Sequence, residues 1–327
     1  MKIAPELLDR FRADLFALWP DLLDGSEKLG IAISGGGDSL ALLLLGHSAL
    51  PGRVEAATVD HQLRAESGAE AKLAADYCAE LGVPHVTLRV EVEKGNLQSR
   101  ARAARYRALG AWCGERDLAG LATAHQLEDQ AETFLMRLNR GSGLGGLASI
   151  RSRAKVPETT VPLVRPLLGW RREELAQLVD SVGWKAVQDP SNQNTDFDRI
   201  KMRENLARCD WLDRDALGRS AKHLAEADMI IRQTIEREFA DKVTFDGVEA
   251  VYREVGSAES QSLIMGGVIR AIFQLYGIRV NQRVGSGLAD NLIRGLKTNI
   301  AGIQADVREK DGESVWVFRR ENARRVS

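Results

Sequence analysis

Four times between Leu29 and Asn139 a short apolar run gives way to a stretch with helical periodicity. The runs are Leu29–Ser34, Arg53–Asp60, His85–Val90 and Leu118–Ala124; the helical stretches are Ser39–Leu50, Ala65–Leu81, Leu97–Glu115 and Gln126–Asn139. Short apolar runs bounded by turn residues read as buried strands. Strands separated by helices must run parallel, because each helix carries the chain back to the end of the sheet where the last strand began. The predicted fold class is therefore α/β, a doubly wound parallel sheet. Ligands bind such sheets at the carboxyl ends of the strands.

The rest of the chain is less periodic. Leu167–Val182, Arg199 to about Phe239, Ser260–Tyr276 and Leu288–Leu296 read as helical, and Val315–Arg320 as a late strand. At roughly 150 residues per domain, 327 residues suffice for two domains. A boundary near Asp213–Leu217 separates a catalytic domain, residues 1–215, from a smaller, mainly helical C-terminal domain, residues 216–327. The longest apolar stretch, Leu40–Leu45, is far short of the ~20 residues that cross a bilayer. The N-terminal MKIAPELLDRFRADLF carries acids early and reads as an amphipathic helix, not a signal peptide. Cys78, Cys113 and Cys209 are scattered and odd in number, which argues against disulfides and for a cytoplasmic protein. With 45 basic and 46 acidic residues the net charge is -1, which taken alone argues weakly against a nucleic-acid partner.

Ser34-Gly35-Gly36-Gly37-Asp38-Ser39 falls between the first strand and the first helix. Its glycines let the backbone turn sharply and approach a ligand closely. Successive amides and the following helix N-terminus then form a nest for anionic oxygens. Ser34 and Ser39 can add hydroxyl donors. The GK[ST] lysine of a Walker loop is absent, and the GxGxxG dinucleotide pattern is not met. Asp38 would repel a phosphate unless a divalent cation bridges the two, and Mg²⁺ is the hard, oxygen-seeking ion for that task. The hexapeptide resembles the PP-loop of the N-type ATP pyrophosphatases, a Rossmann-like superfamily. That resemblance implies ATP cleaved between its α- and β-phosphates.

Three further constellations follow. Asp60 and His61, in Val59–Arg64, close the second strand and border the expected nucleotide site; alone, such a pair reads equally as a capped loop. Ser99–Arg107 carries Arg100, Arg102, Arg105 and Arg107, with Arg102, Arg105 and Tyr106 on one helix face, suited to phosphate or simply solvated. His125, Asp129 and Glu132 stand at i, i+4 and i+7 where the fourth strand meets its helix. They could bind Mg²⁺ or hold and deprotonate an amine; acids there also suit the helix dipole. No zinc-ligand spacing is present.

The loop, VDHQLR, the RxxRY pattern and the AHxxEDQxET run occur in one order, followed by Arg140-Gly141-Ser142-Gly143, Arg165-Pro166-Leu167-Leu168 and Asp189-Pro190-Ser191-Asn192 before Arg199 and Arg203. Over about residues 25–210 this order resembles the tRNA(Ile)-lysidine synthetase family. Two positions depart from it: Ile200 replaces the Asn that usually follows Arg199, and Glu128 replaces the first of two aspartates. The resemblance implies ATP-dependent ligation of free L-lysine to C2 of the wobble cytidine in tRNA(Ile) with a CAU anticodon, through an adenylated cytidine. Residue by residue it implies ATP binding by Ser34, Gly35, Gly36, Gly37, Asp38, Ser39, Asp60 and His61. It implies Mg²⁺ at Asp38 and Asp129, and catalysis by Asp38, Arg105, His125, Asp129 and Glu132, with Glu132 holding or deprotonating lysine. Arg140, Arg165, Arg199 and Arg203 are expected at the tRNA.

Two rivals stand beside this reading: a PP-loop tRNA thiolase, disfavoured because no CxxC is present, and a non-catalytic ATP-binding sensor. The sequence leaves a homodimer open. The near-zero charge is also an average. Between Arg140 and Arg172 lie seven basic residues and one acid, Glu158, enough local charge to meet phosphates.

Overall fold

The computed structural model describes residues 3–22, 25–62, 67–91, 97–187, 198–253 and 262–321. The first sheet has six strands: β1 (Leu29–Ala32), β2 (Val54–Asp60), β3 (His85–Arg89), β4 (Gly120–Ala122), β5 (Arg153–Lys155) and β6 (Pro162–Val164). Their order is β3-β2-β1-β4-β6-β5. Neighbours are parallel except for the β5–β6 hairpin. After β3 the chain steps back across β1 to place β4 on its other side. This reversal opens a crevice at the carboxyl ends of β1 and β4.

Side chains alternate between the two faces of the sheet. Leu29, Ile31 and Ile33 pack with Phe11 and Leu15 of α1 (Pro5–Leu18), Leu40–Leu45 of α2 (Gly37–Ala49) and Leu175 of α7 (Arg172–Ser181). On the other face Ala57, Leu121 and Leu163 meet Tyr106, Leu109 and Trp112 of α4 (Leu97–Glu115). Helix α2 is apolar all round because it is enclosed by the sheet, α1 and α7. A Cβ on Gly46 would lie 2.6 Å from Cδ1 of Ile31, so this helix sits closer to β1 than a larger residue would permit. The remaining elements are α3 (Ser67–Glu80), α5 (Leu127–Asn139), α6 (Leu144–Leu147), α8 (Asp198–Ala207) and α9 (Arg214–Lys242).

Two readings of this region change. The basic stretch Arg151–Lys155, to which the sequence assigns no strand, contains edge strand β5; three residues with both cations exposed carry no strand periodicity. The helix expected from Leu167 begins at Arg172, while Leu167 and Trp170 remain core residues in the preceding turn.

The chain divides into compact units at Ala225/Glu226, inside α9 and beyond the expected Asp213–Leu217 boundary. The second unit contains β7 (Val243–Phe245), β8 (Glu249–Tyr252), α10 (Ser262–Leu275), α11 (Gln282–Ile293), β9 (Thr298–Ile300), β10 (Ile303–Lys310) and β11 (Glu313–Arg320). Sequence reading found its helices and β11; the structure adds an antiparallel sheet of order β7-β8-β11-β10-β9. Trp316 and Phe318 of β11 face Val268, Ile269 and Ile272 of α10, while Val315 and Val317 pair with Val251 on the other face. The Tyr276 hydroxyl donates to the Phe318 carbonyl at 2.7 Å and accepts from the Ala250 amide at 2.9 Å, tying α10 to β8 and β11.

Candidate active site

The glycine loop leaves β1 and becomes the first turn of α2. Gly35 has φ +78°, a left-handed conformation that favours glycine. Gly36 is extended and caps the helix. The loop is tied internally: the Ser39 hydroxyl donates to the Gly36 carbonyl at 2.8 Å and accepts from the Ser34 amide at 3.1 Å. Ser39 is buried, while Ser34 is exposed at the mouth of the loop.

Asp38 faces the start of α5. Its Oδ2 lies 3.5 Å from Gln126 Nε2 and 3.9 Å from Arg172 Nε. Burial pushes the Asp38 carboxyl up to about 6; Arg172 opposes the rise, and Asp129 and Glu128 add to it. Gln126 is the N-cap of α5 and completes a capping box, its own amide donating to Asp129 Oδ2 at 3.2 Å. One oxygen of Asp129 thus serves the helix end. Glu128 accepts from the Arg172 amide at 3.0 Å and so joins the starts of α5 and α7.

Because α5 starts at Leu127, His125 precedes its cap and does not share the helix face of Asp129 and Glu132. The expected i, i+4, i+7 alignment therefore holds only for the two acids. Glu132 is 1% exposed, and Arg203 of α8 donates to its Oε1 at 2.8 Å. The expected amine-handling acid and an expected tRNA contact are thus one ion pair.

Across the crevice the charge is positive. Arg165, just past β6 and 6% exposed, donates from Nε to His125 Nδ1 at 3.3 Å and from Nη1 to the Arg151 carbonyl at 2.6 Å. Arginine can only donate, so Nδ1 of His125 accepts and the neutral ring carries its proton on Nε2. The guanidinium carbons of Arg102 and Arg105 lie 5.0 and 5.2 Å from the Tyr106 ring centre, which bears out their common helix face. Burial pushes Arg105 and Arg165 below the usual arginine range, and neighbouring guanidiniums push further; Tyr106 opposes. His61 is held below the usual histidine range by burial and then by Arg105, against the pull of Asp60. Its Nδ1 is buried with no hydrogen-bond partner among the described residues.

A family profile described as the PP-loop domain matches residues 8–209. The tRNA(Ile)-lysidine synthase of Novosphingobium aromaticivorans is 46% identical over 234 residues, covering 71% of this chain and 70% of that protein. The chain belongs to the tRNA(Ile)-lysidine synthase family. The synthase of Zymomonas mobilis is 38% identical over 300 residues, covering 90% of this chain and 89% of that protein. Among solved structures, the U34-tRNA thiolase NcsA of Methanococcus maripaludis, with its 4Fe–4S cluster, aligns with TM-score 0.56 at 20% identity over 67% of this chain and 78% of its own; that likeness is of fold. In this member of the synthase family Cys78 and Cys113 are buried, and burial pushes both thiols up to about 12, so neither is a thiolate at neutral pH.

Not every expected residue lies among the side chains at this crevice. Arg140 is exposed at the C-cap of α5, about 20 Å along the helix from its first residue at 1.5 Å per residue. Arg199 lies in the first turn of α8, but its side chain and the Asp189–Asn192 segment fall outside the described residues, as does Arg64. Gln126 and Arg172 were not expected at Asp38. Gln126 is an N-cap two residues before the acid pair Glu128-Asp129, and that position was the available signal. No helix among the described residues is long and apolar enough to cross a membrane.

Proposed function

We propose that this chain uses ATP to join free L-lysine to C2 of the wobble cytidine of tRNA(Ile) bearing a CAU anticodon. The reading rests on one juxtaposition: the phosphate loop that starts α2 and the acidic start of α5 meet at Asp38 through Gln126. Family membership selects the substrate class. In the first step the C2 oxygen of cytidine attacks the α-phosphorus of ATP, and the bond to pyrophosphate breaks. In the second, the lysine ε-amine, having given up a proton, attacks C2; the C2–oxygen bond breaks and AMP leaves with the oxygen.

The amides of Gly35, Gly36 and Gly37 and the Ser34 hydroxyl cradle the departing pyrophosphate. His61, with its unpartnered Nδ1, and Asp60 border the base of the nucleotide. Arg105 and Arg165 stabilise negative charge that grows during adenylyl transfer, and the buried setting strengthens them. His125 is held by Arg165 to face the same space. Glu132 receives the lysine ammonium and takes its proton once Arg203 turns to an RNA phosphate.

Mg²⁺ would fit Asp38 and Asp129: the Asp129 charge raises the proton affinity of Asp38, and a hard cation held by both carboxylates would relieve that repulsion. When bound, the ion neutralises the phosphates beside these carboxylates. The second unit and the Arg140–Arg172 cations are each assigned to tRNA, and cysteines too scattered for disulfides, with an RNA substrate, support a cytoplasmic location.

Omission of ATP, lysine or tRNA in turn tests the reading by AMP and pyrophosphate release. Turnover is expected only with all three. Asp129→Asn keeps an acceptor for the Gln126 amide but removes the charge; undiminished lysidine formation by that variant would remove Asp129 from the chemistry. Sulfur incorporation into the tRNA would instead favour the thiolase.

A further inference from the structure

Five of the six tryptophans are core residues: Trp19, Trp112, Trp170, Trp184 and Trp316 are at most 5% exposed. Trp211 is 78% exposed. It stands in the turn between α8 and α9. Its neighbours Asp210 and Leu212 line a cleft of about 600 Å³, whose facing wall is Glu128 of α5 with Arg171 and Arg172 at the start of α7. Arg172 is also the residue that faces Asp38 at 3.9 Å, so the cleft and the proposed reaction centre share one wall residue. Arg214 lines the cleft as well, and Arg208, three residues before the indole in sequence, is exposed.

An indole left in water forgoes the burial that this side chain ordinarily gains. A flat π-face left in water suits an unpaired nucleobase, which stacks on the ring, and the exposed Arg208 offers a cation for its phosphate. A paired base in a duplex hides both faces and cannot do this. Acids share the cleft: Glu128, Glu173, Asp210 and Asp213 line it, Asp215 pairs with Arg171, and Glu128 lies 4.0 Å from Arg214. The open face of the indole, rather than a surplus of cations, therefore carries the contact.

We propose that Trp211 is a stacking platform for an unpaired base of the substrate RNA at the rim of this cleft, beside the cytidine under modification. The inference rests on the tRNA reading above. It adds a contact that is absent from the PP-loop motifs.

Because the other five indoles are buried, iodide quenching of the intrinsic fluorescence of the full chain reports mainly on Trp211. The ligand to use is a tRNA(Ile) transcript with a CAU anticodon, at low salt. The indole should be quenchable in the free protein and shielded once tRNA saturates it. Trp211→Ala should weaken tRNA binding about 5- to 100-fold with ATP affinity unchanged, and Trp211→Phe should recover most of the loss. Wild-type protein that forms lysidine while its indole stays equally quenchable in the tRNA complex overturns the stacking and leaves the activity intact. Wild-type protein that forms no lysidine under any condition removes both. Shielding that grows with protein concentration in the absence of RNA assigns the indole to a second copy and also overturns the proposal.

Discussion

The crevice at the strand ends has an acidic side and a basic side, and the two are built by different rules. On the acidic side, partners within the chain already engage each carboxylate: Gln126 and Arg172 face Asp38, the α5 cap holds one oxygen of Asp129, and Arg203 covers Glu132. On the basic side Arg102, Arg105 and Arg165 gather on Tyr106, and no carboxylate among the described residues figures in the shifts of Arg105 or Arg165. Burying like charges together is costly unless an anion joins them. The basic side is thus suited to an anion, whereas the acidic side is neutralised from within the chain. The whole-chain charge of -1 averages over this separation and so reveals nothing of it.

The strongest way to break the contrast is Glu132→Gln. It should lower lysine transfer about 10²- to 10⁴-fold while adenylated tRNA still forms and accumulates, a product visible by transfer of label from [α-³²P]ATP. If both steps fall together, Glu132 serves the fold rather than the amine. Arg105→Ala attacks the other side. Here adenylyl transfer itself should fall about 10²- to 10³-fold, and pre-steady-state AMP incorporation is the measurement.

The third prediction uses pH. Burial lifts Asp38 from 3.8 to about 6 in the folded chain, so the folded state favours the protonated form. Its contribution to stability is full below pH 4 and is lost as pH rises through 6, by roughly 3 kcal/mol. Without nucleotide or divalent cation, Asp38→Asn should match wild type in unfolding free energy at pH 4 and exceed it at pH 7, although activity is lost. Parallel curves for the two proteins across that range would refute the burial argument. The smallest expected effect is that of Gln126→Ala, which loses a helix cap worth about 1 kcal/mol and should reduce adenylation less than tenfold. A thermal melt beside an initial-rate assay separates the two losses.

Much of the catalytic half is legible because its signals are local. The apolar runs that become β1 and β2 and the glycines of the loop each announce themselves within a few residues. The pairing of Glu132 with Arg203, separated by 71 residues, is not legible that way. It depends on α8 lying against α5, and no periodicity encodes that contact. His125 shows the opposite error: helical spacing placed it with the acids, but Gln126 at φ -128° ends the helix before reaching it. In the second unit, β10 reads Ile303, Ala305 and Val307 inward with Gln304, Asp306 and Arg308 between them. That alternation was visible, but its charged residues obscured it.

The charges on β5 bear on how this protein behaves at high concentration. A sheet edge offers unpaired amides and carbonyls to any passing strand, and cations along it are an effective deterrent. At one edge β5 is only three residues long and exposes Arg153 and Lys155; at the other, β3 ends in exposed Arg89. Growth of the sheet into fibrous assemblies is discouraged at both ends. Replacing Arg153 and Lys155 by valine should lower the concentration at which warmed protein scatters light.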